Sequence, residues 1–139
     1  MIHGSGVRFV RLFIEVLTVA LAVEIALRRR PLERVFADTE RTSSKPRRAR
    51  EVPPERLERA IRAVYRILPL EPTCLKHSLI FCRVRRRWGL PAELRIGVQK
   101  KAGEFGAHAW VEDGAGQVLT DPLDGFSPVP LRGRSIRDD

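Results

Sequence analysis

The hydrophobic period of this chain changes once, between Gly89 and Pro91, and that change narrows the fold further than any other feature. Ahead of it the period is helical. Leu57, Ala60, Ile61, Val64, Tyr65 and Leu68 share one face of a helix that Pro53 and Pro54 open and that Pro69 and Pro72 end. Thr73 supplies an N-cap for a second helix over residues 74–88, and Gly89 with Pro91 supplies its stop. Behind the change the period is two. Leu94, Ile96 and Val98 line one face of a strand, and residues 100–106 carry two glycines for a loop or hairpin. Ala107, Ala109 and Val111 then alternate with His108, Trp110 and Glu112, so the histidine and tryptophan share the opposite face. Gly114 and Gly116 turn the chain into a third strand over residues 117–121, and Pro122, Pro128 and Pro130 end regular structure. Helices followed by short antiparallel strands define an α+β fold, with a helix packed on a small antiparallel sheet.

A length of 139 residues allows one domain with a modest core, and no internal repeat divides it. Residues 7–27 form an apolar N-terminal helix within a segment 1–37. Arg11, Glu15 and Glu24 interrupt it, and its longest charge-free run, residues 16–23, falls short of the roughly 20 apolar residues that a span needs. Arg11 with Glu15, and Glu24 with Arg28, stand at the spacing of helical ion pairs. The segment therefore reads as a buried or docking helix, with membrane contact through it left open. A signal peptide is not expected, because Glu15 and Glu24 interrupt the apolar part and Arg28, Arg29 and Arg30 follow where small residues would mark cleavage. Residues 38–54 are rich in Thr, Ser, Pro and Arg and read as a flexible linker to a domain over 55–131, followed by a mobile tail over 132–139.

The formal charge of +9 comes largely from clustered arginines, including Arg85, Arg86 and Arg87, and a surface of that kind favours acidic partners or phosphate. Nucleic acid is not expected, because the few aromatic residues do not interleave with the basic runs. Cys74 and Cys82 would lie about two turns apart on one helix, too far to bond, so the chain reads as cytoplasmic with reduced thiols.

Chemistry is concentrated between Thr73 and Asp121, in the order Cys74, His108, Asp121. A thiol protease needs a thiolate, an imidazole to take and return its proton, and a carboxylate to hold the imidazole tautomer. Cys74 stands at a helix start, where free backbone donors and the helix dipole favour a thiolate. A buried apolar role is the alternative for it. Cys82, two turns further in, reads as core. His77 projects beside the nucleophile and not across a cleft, so it reads as a surface or supporting residue behind His108. Asp121, at the end of the strand next to His108, is the leading carboxylate, with Glu112, Asp113 and Asp124 as alternatives. Trp110 shields the histidine, lines the cleft or serves the sheet. No zinc-ligand spacing or phosphate-binding glycine loop is present, and Ser78 lies inside a helix and not on a nucleophile elbow, so neither metal nor organic cofactor is expected.

The run CLKHSLIFCRVRRRWGLPAELRIGV, followed by EFGAHAWVE and LTD, resembles the lasso-peptide leader-peptidase family, a bacterial branch of the transglutaminase-like cysteine proteases. The likeness covers roughly residues 57–121. It implies a papain-like, transglutaminase-like fold with Cys74 as nucleophile, His108 as base and Asp121 as orienting carboxylate. It also implies the task of cutting the leader from a ribosomally made precursor peptide, so that a separate cyclase can close a macrolactam on the new amine. Members of this short type work with a separate small leader-binding protein, and no recognition module is visible in this chain. Papain-like relatives often carry a glutamine ahead of the cysteine for the oxyanion hole. Here Glu71 and Thr73 stand there, which leaves the backbone N–H groups at Cys74. Two rival readings keep other outcomes open: acyl transfer to an amine instead of water, and a non-catalytic module that binds acidic peptide or nucleic acid.

Overall fold

Four helices and three strands are described by a computed structural model, over residues 2–42, 52–101, 104–120 and 127–129. Helix α1 (Ile2–Arg29) stops ahead of Pro31, whose ring excludes a helical predecessor and whose nitrogen has no proton to give, and α2 (Leu32–Arg41) starts directly behind it. Helix α3 (Pro54–Ile67) buries Leu57, Ala60, Ile61 and Val64, the face that its period predicts. Helix α4 (Cys74–Arg87) is the central element. Its residues 78–82 are all buried in succession, because α1, α2, α3 and the sheet each pack on it from a different side. Leu12, Val16, Val19, Ala20 and Val23 of α1 belong to the same core cluster as Leu79, Ile80, Phe81 and Val84 of α4.

Helix α2 runs four residues into the stretch expected to be linker, and 43–51 lie outside the described residues. The polar composition there misleads because Thr39 is buried. Its hydroxyl donates to the Val35 carbonyl at 2.8 Å and accepts from Arg83 Nε at 2.8 Å. Arg83 also donates to the Val35 carbonyl at 3.3 Å, which ties α2 to α4.

The sheet is antiparallel in the order β2-β1-β3. Strands β1 (Glu93–Lys101) and β2 (Glu104–Glu112) pair from Glu93↔Glu112 to Lys101↔Glu104, so of the loop or hairpin expected over 100–106 it is the hairpin that forms. The third strand expected over 117–121 does not form over its described residues, 117–120. Asp113 Oδ1 accepts from the N–H groups of Ala115 and Gln117, both at 2.8 Å, and turns the chain back to one bridge, Glu112↔Val118. The Thr120 hydroxyl then takes the Val111 N–H at 2.9 Å, a bond that a ladder carbonyl would otherwise make. Strand β3 (Ser127–Val129) occupies the other edge of β1 instead. It contains Pro128, expected to end regular structure but tolerated because an edge strand pairs on one side only.

Three arginines of α4, Arg83, Arg85 and Arg86, donate to groups within the fold, whereas Arg87 stays exposed. Arg85 is 8% exposed and donates twice to the Pro91 carbonyl, at 3.2 and 3.3 Å. Arg86 donates to the carbonyls of Ala92 and Glu40, and so closes the helix end onto β1. Two carboxylates fasten α1 to α4. Glu15 accepts from the Trp88 indole at 3.0 Å, and the buried Glu24 holds Lys76 at 2.9 Å and Arg28 at 3.3 Å. Among the described residues no helix is long and apolar enough to cross a membrane.

Candidate active site

Pro69 and Pro72 exclude helix ahead of residue 73, and Thr73, extended at φ −126° and ψ 159°, caps α4 by accepting from the Lys76 N–H at 3.1 Å. Cys74 is thus the first helical residue of α4, and it is exposed. One turn further on, Ser78 faces the sheet and its buried hydroxyl donates to the Ala109 carbonyl at 3.0 Å. That bond pins the α4 start to β2 one residue from His108. Cys74 and His108 line one cleft of about 260 Å³ with Arg62, His77, Ser78 and Thr120. Both cysteines are free thiols, and Cys82 is buried with its Sγ 3.6 Å from the Ala92 carbonyl. Burial pushes the Cys82 thiol above its ordinary pKa, against the pull of Arg86 and Arg83, so its environment is that of a packing residue.

The His108 ring stacks on Trp110 with centroids 6.3 Å apart. The indole in turn donates to Glu112 Oε1 at 3.3 Å, and Arg95 Nε donates to Glu112 Oε2 at 3.0 Å. The carboxylate of Glu112 is therefore engaged on both oxygens, and that of Asp113 is engaged by its turn. Asp121 and Asp124 lie outside the described residues, although Thr120, the neighbour of Asp121, lines the cleft.

Of the two roles expected for His77, surface or supporting, its place fits the supporting one. It lines the same cleft, stacks on Phe81 at 6.4 Å and lies 3.8 Å from Glu58 with a side chain 23% exposed. Burial, and secondarily the Arg62 charge, lower its pKa from 6.5 to about 4, so at neutral pH it is uncharged and its contact with Glu58 is not an ion pair. The unfolded chain takes up that proton near the ordinary value and the folded chain does not. The His77 contribution to stability is then complete above pH 6.5 and is lost as pH falls towards 4. Up to about 3 kcal/mol is at stake. Urea unfolding of wild type and His77→Gln at pH 7 and pH 4 should show a smaller acid loss in the variant. Equal losses would remove His77 from the balance.

Sequence reasoning overlooked Arg62, Thr120 and the bridging role of Ser78. The i, i+4 spacing of Cys74 and Ser78 was the one signal the chain offered, since it sets both on one helix face. The Lys76 ammonium adds a second brace. It joins Glu24 of α1 to the Glu71 carbonyl at 3.1 Å, and so holds the segment that leads into Cys74. The nearby Tyr65 hydroxyl is pushed up to about 12 by burial and by the Glu24 charge, and stays protonated. Among the described residues no group of three His, Cys, Asp or Glu side chains could hold a metal ion.

Comparison with curated proteins returned no match, and neither did comparison with solved structures. A family model does match, over residues 16–130, from the middle of α1 to just beyond β3. The chain belongs to the transglutaminase-like superfamily.

Proposed function

We propose that this chain is a cysteine peptidase that removes the leader from a ribosomally made precursor peptide in lasso-peptide maturation. The observation that carries the reading is the convergence of an exposed helix-start thiol, Cys74, and the strand imidazole of His108 on one cleft. Superfamily membership is compatible with thiol-dependent hydrolysis or acyl transfer. The likeness of the sequence around Cys74 and His108 to leader peptidases supports the finer choice.

In this reading the Cys74 thiolate attacks the scissile carbonyl, and the carbonyl oxygen takes its negative charge toward the backbone N–H groups of the α4 start. His108, protonated, gives its proton to the leaving amine. It then takes a proton from water as water attacks the thioester, and the new carboxylate leaves Cys74 free. Asp121 holds the His108 tautomer. A separate small leader-binding protein presents the precursor, and a cyclase consumes the freed amine, all in the cytoplasm.

The test is product mass. Incubation with a precursor and its leader-binding protein should yield a leader fragment with a free carboxylate and a core fragment with a free amine, far faster than without that protein. A leader fragment that carries an added amine at its new end, with little hydrolysis, would make the chain an acyl transferase. An intact precursor under both conditions would leave only a binding module.

A further inference from the structure

The helix that carries the fold's first core stripe also carries a second, outward one. Val10, Ile14, Leu21 and Ile25 are 54%, 56%, 43% and 54% exposed. They fall within about 60° of one another around the α1 axis and extend about 22 Å along it. The polar rim of this face has one sign. Arg11 and Arg29, each about 40° beyond its edge around the helix, are exposed and have no carboxylate partner among the described residues. Both carboxylates of the helix are turned inward, Glu15 to Trp88 and Glu24 to Lys76. What remains outside is an apolar stripe with guanidinium groups at both of its ends.

We propose that the outer face of α1 docks on an anionic lipid surface, in the plane of the headgroups. The charge pattern selects this occupant. In a second copy packed stripe to stripe, arginine would oppose arginine, because Arg11 and Arg29 stand at opposite ends of a face that carries no free acid. An anionic headgroup layer is continuous, so it meets cations at both ends of the stripe at once while the isoleucines enter the acyl boundary. The helix cannot span a bilayer, and its inner face is already spent on α3 and α4. Surface docking therefore buries the stripe without unfolding anything.

The test is co-flotation of the full chain with phosphatidylcholine vesicles, with and without about 30% phosphatidylglycerol. Binding is expected only to the anionic vesicles and should fall steeply with added salt. The charge-neutral change Ile14→Asn with Ile25→Asn should weaken it by at least about tenfold, as should Arg11→Gln with Arg29→Gln. Arg56→Gln, which removes one exposed charge from α3, should cost much less. Circular dichroism of each variant checks the fold, and the salt series on wild type stands without any variant. Failure to float with anionic vesicles would overturn the proposal, as would equal binding by the asparagine variant, which would reduce the effect to net charge. It would also be overturned if those asparagines left flotation intact but abolished self-association or capture of an acidic protein partner.

Discussion

Cys74→Ala should abolish leader cleavage, a loss of at least about a thousandfold, while Cys82→Ala should keep most of it. The two thiols differ in everything that makes sulfur reactive. Cys74 is exposed at a capped helix start beside the cleft, whereas Cys82 is buried and held protonated by its surroundings. His108→Ala should cost about as much as loss of the thiol, and the double variant should be little worse than either single one, because a nucleophile and its base act as one unit. Cleavage rates on a precursor peptide, with circular dichroism to confirm folding, decide the matter. Equal loss in Cys74→Ala and Cys82→Ala would remove the nucleophile assignment, and a double variant far slower than both would argue against a shared step.

Asp121→Asn should leave the fold intact and slow cleavage by about a thousandfold or more, through loss of the His108 tautomer that can accept the thiol proton. Glu112→Gln should be mild by comparison. Its carboxylate is committed to Arg95 and to the Trp110 indole, so the change loosens the sheet edge without touching the imidazole. Asp124→Asn should also be mild. The same precursor assay separates these outcomes. A crippled Glu112→Gln beside an active Asp121→Asn would move the third member of the site to β2.

Much of this architecture was legible along the chain because its causes are local. The Thr73 cap, the α3 face and the alternation of β1 and β2 each depend on residues a few positions apart, and each stands where the pattern sets it. The candidate nucleophile was legible for the same reason, since a helix start is a property of three or four neighbouring residues. The end of the sheet was not. Residues 117–120 alternate well enough to be a strand, but the Asp113 turn and the Thr120 hydroxyl satisfy the backbone first, and the free edge of β1 goes to Ser127–Val129.

Charge was the least legible property. Arginine looks the same in sequence whether water or a carbonyl satisfies it, and composition assigned the whole basic run to the surface. Tertiary structure decided otherwise for Arg83, Arg85 and Arg86, because packing around α4 left the carbonyls of Val35, Glu40, Pro91 and Ala92 within reach of their donors. It also decided where His77 lies, and brought His108 to the cleft of Cys74 through the Ser78 bond to Ala109. Sequence alone determined α3, α4, β1 and β2, because periodicity and caps act within a turn or a pleat. The choice of long-range polar partners waited on the fold, because only packed elements show which donors and acceptors remain to be paired.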